Sequence, residues 1–137
     1  MPPTLWTQAE SLGPDECLRL LSSARMGRVG FTGPDGPQVL PVNYTLLDGA
    51  IVVRTDLYSA VADGTRDALV AFEVDELDDR LQSGWSVLAV GDAVHVEDRA
   101  EMVDLFRRAG EPWAPGSRPL LAKIVLTRVT GRRFQRT

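Results

Sequence analysis

The dipeptide Asp48-Gly49 constrains the fold of this chain more than any other feature of its sequence. It separates two extended apolar runs, Gln38 to Leu47 and Ala50 to Thr55. A two-residue turn of this composition accepts the positive φ angles whose twist matches the flanking strands. Residues 38–55 are therefore expected to form an antiparallel β-hairpin. Pro41 interrupts the first arm. A proline donates nothing to a ladder, so it marks an edge, a bulge or a deliberate break in pairing.

Further strand signals follow the same style, short and separated by turn residues. They cover Arg28 to Thr32, Ala68 to Val74, Gly84 to Val96 and Leu120 to Thr130. Gly33-Pro34-Asp35-Gly36-Pro37 reads as a turn, Asp75 to Ser83 as an acidic loop, and Gly91-Asp92 as a bend or bulge. Three helical stretches lie between them. The first opens at Gly13-Pro14, with proline at the first helical position and Asp15 and Glu16 in the first turn. Its apolar stripe is Cys17, Leu18, Leu20, Leu21 and Ala24, and Gly27 is the expected stop. The second is a short helix or turn from Asp56 to Thr65, closed by Asp63-Gly64. The third, Asp98 to Ala109, is amphipathic, with Gly110 ending it, and a loop containing Pro112-Trp113-Ala114-Pro115-Gly116 follows. Six antiparallel strands with short helices predict a mainly β protein, a small closed or nearly closed barrel. At 137 residues this is one domain, 1–137, with residues 1–9 expected to be flexible.

Composition removes many function classes. There is one cysteine, Cys17, and one histidine, His95. An internal disulfide is impossible, and no Cys/His zinc site can be assembled from one chain. Cys17 reads as a small buried apolar residue and His95 as a surface strand residue. No nucleophile elbow, phosphate-binding P-loop or dinucleotide fingerprint occurs. The net charge of −4 argues against a nucleic-acid partner. No apolar run reaches a membrane-spanning length. Met1-Pro2-Pro3-Thr4 lacks the features of a secretory signal, which predicts a cytoplasmic location. Charge is uneven: Glu73 to Asp104 holds ten acidic and two basic residues, and six basic residues and no acidic one follow Glu111. The plain reading is a solvated acidic segment and a basic terminal strand; the sharper one is an acidic patch of one subunit meeting the basic tail of another.

With no catalytic constellation of its own, the domain takes its chemistry from a bound cofactor or has none. Several short stretches, in order, carry a resemblance: Pro41-Val42-Asn43-Tyr44, Asp48-Gly49, Arg54-Thr55, Val70 to Asp75, Gly84-Trp85-Ser86-Val87 and Gly91. The Glu16-Cys17-Leu18 helix leading to Gly27-Arg28, and Trp113 to Gly116 before Val129 to Arg133, complete it. Over about residues 10–134 the chain resembles the pyridoxamine 5′-phosphate oxidase-like family, the FMN-binding split barrels, in its small bacterial branch. The resemblance implies a six-stranded antiparallel split barrel that forms a homodimer, with flavin mononucleotide (FMN) in clefts between the subunits. It implies a flavin-dependent oxidoreductase acting on a small molecule, and no membrane partner.

The resemblance also implies the cofactor-binding residues: Pro41, Val42, Asn43 and Tyr44 along the ring, Arg54, Thr55 and Ser59 at its polar edge and phosphate arm, and Trp85 and Ser86 beside it. Their chemistry suits the task, because a phosphate needs convergent O–H and N–H donors and a guanidinium fork. Tyr44 and Trp85 could cover a ring face. Each residue also has a plain structural role open to it, such as core packing for the aromatics or a helix cap for Ser59. The turn departs from the family at Ala60, where a basic residue is usual, and at Tyr58, where glycine is usual; Arg66 is the next cation. The competing reading is a dimeric ligand-binding protein with a degraded flavin site, holding a deazaflavin or no cofactor. No residue is assigned a catalytic role.

Overall fold

The computed structural model describes residues 8–109 and 119–135. Among the described residues, seven strands and three helices follow one another: β1 (Gln8–Leu12), α1 (Pro14–Ser23), β2 (Met26–Gly33), β3 (Gly36–Leu47), β4 (Ala50–Thr55), α2 (Ala60–Gly64), β5 (Ala68–Asp78), β6 (Ser83–His95), α3 (Arg99–Arg108) and β7 (Leu120–Gln135). All pairings are antiparallel. The sheet order is β1-β7-β4-β3-β2-β5-β6, and an added β6–β7 ladder closes it. The six expected strands thus make the ring, and β1 is a seventh strand laid beside β7.

Most expected elements stand, with corrections at their ends. Asp48 and Gly49 both take positive φ in the β3–β4 turn, and the β6–β7 register slips between Val90 and Gly91. The expected flexibility of residues 1–9 does not extend to Gln8 and Ala9, which pair with Gln135 and Phe134. Nothing in Gln-Ala-Glu-Ser-Leu favours a strand by itself; the exposed edge of β7 supplies the template. β7 runs past Thr130 to Gln135, where it is paired with β6 on one side and β1 on the other. The acidic loop is shorter than expected, since Asp75 to Asp78 stay in β5 opposite Ser86 to Ser83. Helix α1 stops at Ser23, so Gly27 is not its cap. It lies in β2, where an added Cβ would come within 2.5 Å of the Phe72 ring. Gly110 and the Pro112 to Gly116 loop lie outside the described residues.

Strand alternation sorts the side chains into two apolar layers. The first fills the ring: Val29, Phe31, Val42, Tyr44, Ile51, Val53, Val70, Phe72, Val74, Val87, Ala89 and Ile124, capped by Cys17, Leu20 and Leu21 of α1. Gly131 lets α1 approach this closely, because a Cβ there would stand 2.7 Å from Cys17 Sγ. Burial pushes the Cys17 thiol above its ordinary pKa, which fits an inert packing residue. The second layer lies outside the ring, where Val52 and Leu121 pack with Val96 and with Leu105, Met102 and Phe106 near α3. Arg108 holds α3 to the hairpin turn through Asp48 at 3.0 Å. Glu16 on α1 accepts from Arg19 and from Arg133 of β7, which lowers its pKa to about 2. Arg133 also lies 4.0 Å from Glu10. Arg133 of the basic terminal strand is thus met by two acids outside the acidic segment, a pairing that neither charge reading expected. No helix among the described residues is long and apolar enough to cross a membrane.

Candidate functional site

The ring opens between β3 and β4. Their ladder runs from Leu47↔Ala50 to Tyr44↔Val53 and stops. Continued by two residues it would set Asn43 against Arg54 and Val42 against Thr55. Instead β4 continues along β7 to Thr55↔Leu120, while residues 36–43 of β3 pair with β2. Among the described residues no ladder spans this gap. Pro41 lies on the diverging segment, opposite Arg28 of β2, and has no N–H to offer on either side. The expectation that it marks interrupted pairing holds.

Beyond Thr55 the chain makes a hydrogen-bonded turn. The Asp56 carbonyl accepts from the Ser59 N–H at 3.3 Å and from the Ser59 hydroxyl at 2.9 Å. Ser59 Oγ accepts from the Ala62 N–H at 3.0 Å, so it caps α2. It also lies 2.8 Å from Thr55 Oγ1. Thr55 is buried, and Leu57 and Tyr58 form the outer corner of the turn, Tyr58 being 96% exposed. Thr55 and Ser59 are thus brought together, as expected, with their hydroxyls joined. Ser59 performs its capping role at the same time.

Arg54 is not placed with them. Alternation sends Ile51 and Val53 into the ring and Val52 to the outer layer. Arg54 follows Val52: its guanidinium stands 4.8 Å from the centroid of the Phe106 ring. Thr55 points the other way. The expected fork of Arg54 beside the two hydroxyls is corrected to a cation–π contact that fastens α3.

The remaining expected residues divide similarly. Tyr44 is 5% exposed and packs edge-on against Phe72, centroids 4.8 Å apart. Its hydroxyl donates to the Leu21 carbonyl, and burial lifts its pKa to about 12. The ring is a core member with no face left for a ligand, which corrects its expected stacking role; its backbone N–H donates to the Arg25 carbonyl at 3.0 Å. Val42 points into the ring core. Asn43 Nδ2 lies 2.8 Å from Met26 Sδ. Trp85 and Ser86 are on β6, separated from β3 by β2 and β5. Three strand spacings amount to about 14 Å of sheet. Trp85 packs against the ring core and borders an open groove of about 440 Å³ shared with Glu76, Leu77, Asp78, Asp79, Ser83 and Gly84. Its carboxylates would repel a phosphate-bearing ligand. One protomer does not bring Trp85 and Ser86 to the β3–β4 opening.

Two features escaped the sequence reading. His95 faces inward beneath α2, with Nε2 2.9 Å from the Ala62 carbonyl and 3.3 Å from Thr65 Oγ1. Thr65 is fully buried and donates to Val61 O at 2.7 Å. His95 is therefore a pin for α2 rather than a surface residue. It shares the face of buried Ala93, a signal that alternation alone provides. The second is Glu73, whose carboxylate lies with Asp75 around Arg28 at 3.2 and 3.1 Å. Burial first, then the Asp75 hydrogen bond and charge, push Glu73 up to about 7 against the pull of Arg28.

Comparison with known proteins agrees with this architecture. The uncharacterized protein Rv0080 of Mycobacterium tuberculosis is 38% identical over 128 residues, spanning 90% of this chain and 84% of that protein. The solved FAD binding protein of Mycobacterium smegmatis superposes with a TM-score of 0.77 at 28% identity, covering 91% of this chain and 98% of the other. A FAD-binding protein of Mesorhizobium loti gives 0.77 at 22% identity, covering 91% and 97%, a likeness of fold. The sequence pattern described as pyridoxamine 5′-phosphate oxidase matches residues 13–133. The ring, its split and its sequence together show that the chain belongs to the pyridoxamine 5′-phosphate oxidase family, the flavin-binding split barrels.

Proposed function

We propose that the protein is a flavin-dependent oxidoreductase for a small molecule, and that it holds the FMN moiety of its cofactor where β3 parts from β4. The observation that carries this reading is the end of the ladder at Tyr44↔Val53 with the Thr55–Ser59 hydroxyl pair directly beyond it. The polar groups suit a flavin: the backbone at Asn43, beyond the last β3–β4 pair, for the polar edge of a ring, and the Thr55 and Ser59 hydroxyls for a phosphate. The flavin binding of the smegmatis relative supports the same assignment.

When bound, the flavin supplies the hydride and electron chemistry. The chain's own part is to bind, orient and dry it. Thr55 would turn its hydroxyl proton from Ser59 to a phosphate oxygen, and Ser59 would turn its own from the Asp56 carbonyl to the same group. Ser59 still accepts from Ala62, so α2 keeps its cap. The backbone at Asn43 would hold the polar edge of the ring. The substrate is a small molecule, with a nicotinamide as electron source.

The reading includes a homodimer and uses the outer face of the ring. Val39, Leu69 and Leu88 are 65%, 66% and 39% exposed there, and Val39, Gly30, Ala71 and Val90 are level across four strands. Apolar surface of this continuity is normally covered. A second copy would cover it and carry its Trp85 and Ser86 toward the first copy's opening. Light scattering at micromolar protein should give twice 15.0 kDa; a monomer contradicts the dimer.

The test of function is a titration of the dialysed protein with FMN and with FAD, followed by absorbance and fluorescence. Binding of either, abolished or weakened 10- to 100-fold by Thr55→Val, is the expected result, from about 1.5–3 kcal/mol for a hydrogen bond to a charged group. A protein that takes up neither flavin sinks the reading. Uptake of a deazaflavin instead would favour the ligand-binding alternative.

A further inference from the structure

α2 is too short to hold itself. It has five residues, Ala60–Gly64, and so short a helix is unstable in water without tertiary support. Its placement matters because Ser59, one of the two hydroxyls assigned to the phosphate, is its N-cap. Apolar packing supplies part of the support. Val61 and Ala62 are buried, and Gly64 lies so close to Phe31 that a Cβ there would overlap the ring. Apolar burial is non-directional, so it fixes neither the rotation of α2 nor its slide across Phe31.

The directional hold is on the backbone of Ala62. Its N–H donates to Ser59 Oγ at 3.0 Å. Its carbonyl lacks the helical bond from Arg66, whose N–H goes to the Asp63 carbonyl at 3.5 Å. His95 of β6 takes that place, with Nε2 2.9 Å from the Ala62 oxygen. A carbonyl only accepts, so Nε2 carries the proton. The same N–H lies 3.3 Å from Thr65 Oγ1, whose own proton goes to Val61 at 2.7 Å. One residue of α2 is thus held at both ends by side chains, from the turn by Ser59 and from the sheet by His95.

This hold bears on the phosphate. Ser59 Oγ now meets three groups, the Asp56 carbonyl, the Thr55 hydroxyl and the Ala62 N–H. When the two hydroxyls turn to a phosphate, the Ala62 N–H is the one that stays, and it aims the oxygen. We infer that His95 is a positioning residue for the phosphate: it fixes Ala62, and through Ala62 the Ser59 hydroxyl, beside Thr55. The inference rests on the flavin site proposed above and adds a residue that never touches the ligand.

The experiment is a titration of the full chain with FMN and with riboflavin, which lacks the phosphate. It uses the wild type, His95→Phe, His95→Asn and His95→Gln, with a urea melt of each to verify folding. Phe keeps a ring without the N–H; the Asn amide stops short of Ala62, and the longer Gln amide reaches it. His95→Phe and His95→Asn should each weaken FMN about tenfold, the effect of a buried acceptor left without its donor, and leave riboflavin unchanged. His95→Gln should bind FMN like the wild type. The Asn and Gln pair decides the outcome if His95→Phe does not fold. The inference is overturned if Phe and Asn weaken both ligands alike, which makes His95 a structural pin only, if they weaken neither, or if Gln behaves as Asn. A wild type that binds FMN no more tightly than riboflavin overturns the phosphate turn, and one that binds neither overturns the site for the FMN moiety; the inference falls with either.

Discussion

The two sides of the ring are built differently. On one side β5 and β6 stay paired from Ala68↔Ala93 to Asp78↔Ser83, and β6 stays paired with β7 from His95↔Ala122 to Gly84↔Phe134. On the other side β3 and β4 part after Tyr44↔Val53. The continuous wall backs Phe72, Val74 and Val87, all essentially without exposure. The split wall carries hydroxyls, a proline and an exposed aromatic. The difference teaches where each property resides: stability in the wall that is fully laddered, ligand chemistry in the wall that is not. Residues 41–43 pair with β2 on one side and, among the described residues, with no strand on the other, and a planar ligand with polar edges is suited to that open side.

The sharpest way to break this division is Phe72→Ala. Removing a fully buried ring that contacts Tyr44 should cost about 3–5 kcal/mol, read as a lower urea midpoint. The surviving folded fraction should bind flavin with unchanged affinity; a parallel loss of affinity would show the two walls to be one functional unit. Thr55→Val makes the reverse test. It should reduce flavin affinity 10- to 100-fold, from about 1.5–3 kcal/mol, with a much smaller change in the urea midpoint, because Ser59 keeps Asp56 and Ala62 as partners.

Arg54→Ala separates the two faces of β4. Losing the contact with Phe106 should lower stability by about 1 kcal/mol, seen as a modest drop in Tm, while flavin affinity falls far less than in Thr55→Val. An affinity loss equal to that of Thr55→Val would return Arg54 to the phosphate. The last test is a pH dependence, at Glu73. Its folded-state pKa of about 7 stands above the ordinary 4.5, so between those values the folded chain holds a proton that the unfolded chain has released. Stability from this group is therefore present below about pH 4.5 and lost as pH rises through 7. Glu73→Gln should flatten that decline in a series of urea melts; an unchanged slope contradicts the assignment.

Much of the fold was legible because turns announce themselves. Asp48-Gly49 placed β3 and β4, and Gly91 placed the bulge. β1 was not legible, since its pairing comes from the edge of β7 and not from its own residues. The Gly27 misreading has the same cause: a glycine required by Phe72 in space looks in sequence like a helix stop. At the site, residue types were legible and directions only partly so. Alternation from Ile51 and Val53 implies that Arg54 and Thr55 diverge, and from Val42 that Tyr44 turns inward. What no periodicity showed was the second apolar layer under α3, which gives Arg54 an aromatic partner, or the pin from His95 to α2, which joins residues thirty positions apart.

Amide hydrogen exchange across the whole chain, with and without saturating flavin, tests the central claim most directly. The account requires new protection concentrated in residues 41–44 and 55–59, the two sides of the opening. Protection confined to the acidic groove around Trp85, or unchanged exchange at both sides of the split, would contradict it.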